Sequence, residues 1–302
     1  MRHFLFLLIC GIWGASFLLM KLALAAFGPL SIATARQVAG AATLALLWAF
    51  QRRPWPLRRR DLPVLLGIAL VGYALPFYIQ PYTVRTIDRH TGHGSSFVGM
   101  MVSLVPLVTI LVSVPMLGVL PRPRQVVGVI GGFAMIVFLF SAELKGGVRL
   151  SDLLLASVVP VVYAFTNTVV KRRFADVPAS ALTLTTLSLG ALMVLPLAMT
   201  FESVASAPTP ELTRAIVSLL VLGSICTGLA TFLFYVLIQS EGPLFAGMVS
   251  YIIPCVSLVL GALWGESITR YQVLALVGIL AMVALVQYGP AEPALAPRPP
   301  ER

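Results

Sequence analysis

Long apolar runs recur along this chain, each about twenty residues and each closed by a short polar or prolyl break. A helix needs about twenty residues to cross the hydrocarbon of a bilayer, so the pattern predicts membrane-spanning helices. Ten are read. The first five cover Phe4 to Phe27, Pro29 to Phe50, Leu62 to Tyr82, Ser95 to Val119 and a run ending near Phe140. A join from Glu143 to Asp152 follows. Of the second five, the sixth span ends near Val170 and the others cover Pro178 to Thr200, Ala215 to Gln239, Pro243 to Trp264 and Tyr271 to Tyr288. The alternating ten-residue segments of an outer-membrane barrel are absent. Polar residues from Arg85 to His93 are expected to separate the third span from the fourth. The tail from Gly289 to Arg302 is rich in Pro and Ala and reads as disordered.

The breaks repeat as well as the runs. Phe97-Val98-Gly99-Met100 leads to Pro106 as Phe245-Ala246-Gly247-Met248 leads to Pro254. Gln125, Gly131, Ala134 and Met135 then match Gln272, Gly278, Ala281 and Met282. Such a duplication divides the chain into repeats at 4–141 and 152–288, with 289–302 as a cytoplasmic tail. Five spans is an odd number, so the two repeats insert in opposite orientations. Inverted repeats of this kind place a substrate between the halves near the bilayer midplane. The expected architecture is an all-α polytopic membrane protein of about ten transmembrane helices in two inverted five-helix repeats.

Composition supports the membrane reading. The chain is 59% hydrophobic and 11% charged, against roughly 25% charged in soluble proteins. The net charge of +10 falls in the loops, where it reads as topology rather than as a nucleic-acid surface. With the N-terminus inside, Arg52, Arg53, Arg58, Arg59, Arg60, Arg122, Arg124, Lys171, Arg172 and Arg173 are cytoplasmic, and so is the C-terminus. Ala23-Leu24-Ala25 resembles a cleavage site, but Lys21 and a matching segment in the second half favour a retained first span. Cys10, Cys226 and Cys255 lie in apolar spans with no metal or disulfide spacing.

Few residues remain to carry chemistry. Trp13 and Lys21 are matched by Tyr163 and Lys171 at the same separation of a little over two helical turns. Lys21 reads equally as a cavity residue or as a side chain snorkelling to the interface; Lys171, followed by two arginines, reads as interfacial. Arg36 has no counterpart in the seventh span, where Thr185 falls. It faces either a central cavity, holding an anionic group, or helix-end carbonyls. Phe77, Tyr78, Tyr82, Tyr163, Tyr235 and Tyr251, with Trp13, are candidates to cover an amphipathic substrate, or else packing and belt residues. Pro106 and Pro254 interrupt the fourth and ninth spans and are candidate paired hinges, or simple kinks. Gly128 and Gly132, and Gly261 and Gly265, permit close helix contact. No carboxylate sits at mid-span, and His3, His90 and His93 lie outside the spans, which argues against a proton relay without excluding it. No nucleotide-binding, zinc or nucleophile motif is present, so no cofactor, no metal and no catalytic residue are expected.

Together these residues resemble the EamA-like members of the drug/metabolite transporter superfamily, over nearly the whole chain. The resemblance rests on Trp13-Gly14, Lys21, Arg36, Pro106, Pro254 and the run from Gly261 to Gly278, in which Gly265-Glu266 precedes Thr269 and Gln272. The first copy departs there, with Gly118 followed by Val119, Leu120 and Pro121. The resemblance implies ten helices, cytoplasmic termini and transport of small metabolites, often export of amino acids or related compounds.

The sequence therefore reads as a secondary transporter of the inner or plasma membrane, a monomer or homodimer, with a small-molecule substrate and no enzymatic activity. Its expected substrate site is Trp13, Lys21, Arg36, Tyr78, Tyr82, Tyr163, Tyr235 and Tyr251. An uncoupled facilitator of the same fold is the nearest alternative. A membrane-embedded enzyme would show clustered carboxylates or histidines, and a receptor a docking domain, neither of which is seen.

Overall fold

The computed structural model describes residues 2–51, 55–117, 123–203, 208–234, 236–237 and 249–287. Among them every regular element is helical. The first half contains α1 (Arg2–Ala23), α2 (Pro29–Gln51), α3 (Arg59–Thr91), α4 and α5 (Pro123–Lys145). Helix α4 comes in three pieces: Gly94–Met101, a 3-10 turn at Val102–Leu104, then Val105–Leu117. The second half contains α6 (Leu150–Arg173), α7 (Ala179–Phe201), α8 (Thr209–Phe234), α9 (Val249–Leu263) and α10 (Arg270–Gln287). Helices α1 to α8 are long and apolar enough to cross a bilayer; α9 and α10 are shorter apolar helices over their described lengths. Tyr235, Phe245 to Met248 and the 289–302 tail lie outside the described residues, as does the Lys171 side chain.

The packing is two-fold. Helix α2 lies along α7 and α5 along α10. Helix α1 packs on α9 and α8, while α6 packs on α4 and α3. Exchanging each helix for its counterpart five places on leaves this list unchanged, which is how an inverted repeat closes on itself. The α5–α10 seam shows it at the level of atoms. A methyl group added at Gly131 would strike Met282, and one added at Gly278 would strike Met135. Lipid is as apolar as these side chains, so close contact through small residues, rather than burial from water, holds such a seam together.

Helix α3 corrects one expectation. The polar stretch after Tyr82 is not a separating loop: the helix runs on to Thr91 and stops at Gly92, whose φ of 73° is left-handed. Gly92 N–H donates to Asp88 O at 2.8 Å, closing the last turn. Pro81, Val84 and Ile87 are buried at helical spacing, while Arg85, Arg89 and His90 face out. This one-sided apolar stripe keeps the polar stretch helical.

The helix irregularities include more than the two prolines. Pro106 follows the 3-10 turn of α4, whereas Pro254 sits inside α9, so the two prolines occupy unlike surroundings. The matched irregularities are π-helical turns, Leu70–Ala74 in α3 and Leu222–Leu229 in α8, the third spans of the two halves. Both turns border the same central space.

Candidate functional site

A cavity of about 160 Å³ lies between the halves. Its lining comes in repeat-related pairs. Trp13, Ser16 and Phe17 of α1 answer Tyr163, Thr166 and Asn167 of α6, 150 residues on. Val102 and Val105 beside the α4 turn answer Ser250 and Ile253 of α9, 148 residues on. From α3 come Tyr73, Phe77 and Gln80, and from α8, with the same spacing, Thr227, Thr231 and Phe234. The positions are two-fold but the chemistry is not: the α3 side is aromatic where the α8 side carries threonines.

Arg36 breaks the symmetry most. It reaches this cavity from α2, is 5% exposed, and has no counterpart in the lining. Its Nε donates to Thr227 Oγ1 at 3.2 Å, and Nη1 lies 3.6 Å from Met20 Sδ. The guanidinium stands 3.8 Å from the centre of the Phe77 ring, a cation–π contact. No carboxylate of the described residues pairs with it, and none lines the cavity. A buried guanidinium ordinarily takes a carboxylate partner; Arg36 has a ring, a hydroxyl and a sulfur, and so keeps capacity for an anion. Close approach of α2 to α8 positions it. Gly40 and Gly228 meet with so little room that a Cβ on Gly228 would lie 2.9 Å from Gly40 O.

The rest of the lining is orienting rather than reactive. Trp13 Nε1 donates to Cys226 O in the π-helical turn at 2.9 Å, and its ring leans on Phe234 at 4.8 Å. Tyr163 and the buried side chain of Gln80 line the same cavity. Thr166 is 6% exposed and its Oγ1 has no partner among the described residues. The arrangement is suited to grip an anion at one wall and to cover apolar surface at the others. Among the described residues no group of side chains is placed to hold a metal ion.

Trp13, Arg36 and Tyr163 are thus brought together in the cavity. Lys21, Tyr78, Tyr82 and Tyr251 are not among its lining residues. Tyr78 and Tyr82 stack on each other at 5.7 Å in α3, and Tyr251 packs against the hydrophobic core. Phe77 lines the cavity, as do Gln80, Thr227 and Thr231, which no sequence signal singled out.

Lys21 joins a separate cluster where α1, α3 and α9 end and α4 begins. Its Nζ lies 2.7 Å from Asp88 Oδ1 and 2.8 Å from Glu266 Oε1. Glu266 is aimed by the end of α9: Gly265, at φ 86°, turns the chain, and Glu266 N–H donates back to Gly261 O at 2.9 Å, a Schellman ending. The carboxylate then meets the start of α4. Ser96 N–H donates to Oε2 at 3.0 Å and Ser95 Oγ to Oε1 at 2.7 Å, with Ser96 Oγ also bonded to Oε2. Burial alone would raise the Glu266 carboxyl, but Lys21, Ser96 and Ser95 together hold it below its ordinary value. A second buried pair lies nearby. His93 Nε2 lies 3.1 and 3.0 Å from the two Glu143 oxygens, and Gln272 Nε2 donates to Glu143 Oε1 at 3.4 Å.

Comparison with known proteins agrees with this architecture. A model of the EamA-like transporter family matches residues 1–141 and again residues 150–288. The chain is 28% identical over 292 residues to the uncharacterized inner membrane transporter YedA of Escherichia coli strain K12, covering 95% of this chain and 92% of that protein. YedA of Escherichia coli O157:H7 matches to the same extent. A solved crystal structure shares the fold with a TM-score of 0.64 at 20% identity, over 95% of this chain and 96% of that one.

Proposed function

Because this chain belongs to the EamA-like transporter family, we propose that it is a secondary transporter exporting small carboxylate-bearing amphipathic metabolites. The resemblance to the family brings amino acids and related compounds into that class. The two repeats, 4–141 and 152–288, alternate access to the cavity, in an inner membrane with both termini cytoplasmic. Arg36 receives the carboxylate, and Trp13, Phe77 and Tyr163 cover the apolar part. Pro106, behind the α4 turn, and Pro254 are the hinges. The observation carrying this reading is Arg36, buried at the cavity with no carboxylate partner among the described residues.

An uncoupled facilitator is favoured over a proton-coupled carrier by one feature: among the described residues no Asp, Glu or His lines the cavity. Proton coupling ordinarily uses such a group within the translocation path.

Uptake into proteoliposomes tests both readings, using labelled carboxylates, amines, sugars and nucleosides with and without an imposed proton gradient. Saturable carboxylate flux that equilibrates, and is lost in normally inserted Arg36→Gln protein, is expected. Flux unaffected by Arg36→Gln would remove the carboxylate role. Accumulation only with the gradient would replace the facilitator with a coupled carrier.

A further inference from the structure

Charge balance within the cavity goes further than the presence of Arg36. Resting on the reading of this cavity as the transport site, we infer that its solute is a carboxylate without a fixed ammonium group, such as a 2-oxo acid or a simple branched acid, rather than a zwitterionic amino acid.

A zwitterion would bring a second charge with nothing to receive it. Among the described residues the guanidinium of Arg36 is the only charged group lining the cavity, and it matches one carboxylate. The α-ammonium of an amino acid is held two bonds from its carboxylate carbon, so it would enter the same desolvated space as Arg36 with like charge. Repulsion between like charges is strong in such surroundings. Among the described residues no carboxylate lines the cavity, and Asp88 and Glu266 are tied to Lys21, and Glu143 to His93.

The neutral groups, Asn167, Thr231 and Ser250 among them, offer acceptors but no negative charge to balance an ammonium. An ammonium needs acceptors or an open ring face. Phe77 already carries Arg36 over its ring. Ser16 Oγ donates to Trp13 O at 2.6 Å, and Thr227 Oγ1 accepts from Arg36 while donating to Leu222 O, which leaves both hydroxyls as neutral acceptors only. The unpartnered Thr166 hydroxyl is a donor as well as an acceptor. Beside a bound anion it completes its bonding by donating to a carboxylate or 2-oxo oxygen. Size agrees, because about 160 Å³ is below the roughly 300–1,000 Å³ of sites for drug-sized ligands.

The test uses the full chain in detergent and compounds sharing one apolar group: leucine, 4-methyl-2-oxopentanoate, 4-methylpentanoate and 3-methylbutylamine. Titration calorimetry is expected to show both deaminated acids binding at least about tenfold more tightly than leucine, and the amine not binding. Arg36→Lys keeps this order, since the charge remains. The ligand series on the unaltered protein stands even where a variant fails to fold. Leucine binding as tightly as the oxo acid, or a preference smaller than tenfold, overturns the inference but leaves a carboxylate transporter standing. Failure of every acid to bind folded protein overturns it too, and flux of amines or sugars alone in the proteoliposome assay would remove the proposed function with it.

Discussion

Lys21 Nζ lies 2.8 Å from Glu266 Oε1, joining α1 of the first half to the end of α9 in the second across 245 residues of chain. Asp88 from α3 and the first turn of α4 complete the cluster. Four helices are thus tied at one end of the bundle by two carboxylates and a single ammonium. The Glu266 side chain is fully buried and that of Lys21 is 23% exposed, so the pair is far less screened than a surface ion pair.

Lys21→Met and Glu266→Gln are each expected to destabilise the protein, with a coupling of about 1–3 kcal/mol in a double-mutant cycle. Reversible unfolding in detergent measures it. Strict additivity would mean that the two charges do not hold the helices together.

Acid should undo the same cluster. The folded Glu266 carboxyl sits below its ordinary value because Lys21, Ser96 and Ser95 outweigh the effect of burial. Its contribution to stability is therefore whole above roughly pH 4.3, the unfolded carboxylate value, and is withdrawn as pH falls through the lowered folded value. Thermal midpoints measured downward from pH 6 should fall more steeply for the unaltered protein than for Glu266→Gln.

Gly228→Ala is expected to destabilise by about 1–3 kcal/mol, because its Cβ meets the Gly40 backbone rather than a side chain that can turn away. It should also weaken carboxylate uptake, since α2 carries Arg36. Unchanged affinity in a destabilised but folded variant would separate helix packing from placement of the guanidinium.

Removing one member of the His93–Glu143 pair should be worse than removing both. Glu143→Leu leaves an imidazole whose Nδ1 is already unpartnered without its Nε2 partner as well. A loss of about 3 kcal/mol is expected, with part recovered in His93→Phe/Glu143→Leu. No recovery in the double variant would assign the loss to packing.

The sequence carried the frame of this molecule because lipid permits so few alternatives: runs of spanning length must be helices, and two matching sets of five must be inverted. It carried Arg36 and Trp13 for the same reason, since a charge or an indole stands out against apolar neighbours. Lys21 also stood out, but its partners could not be read. Asp88 sat in what looked like a loop, and Glu266 lies at the far end of the chain. The π-helical turns of α3 and α8 leave the apolar composition untouched, so no hydrophobic period reveals them. The tyrosines divided by which side of a helix they occupy, and a one-residue uncertainty in helical phase is enough to move Tyr78 for Phe77.

The lone charge of Arg36 bears on the energy source for transport. If the carried solute is a monoanion, each exit moves one negative charge out of a cell whose interior is negative. A potential of 100 mV contributes about 2.3 kcal/mol per charge, enough to sustain an outward gradient of roughly fiftyfold. Export then needs neither a titrating group in the cavity nor an ion flowing the other way. For such a solute the voltage across the bilayer would supply the direction that a two-fold architecture cannot.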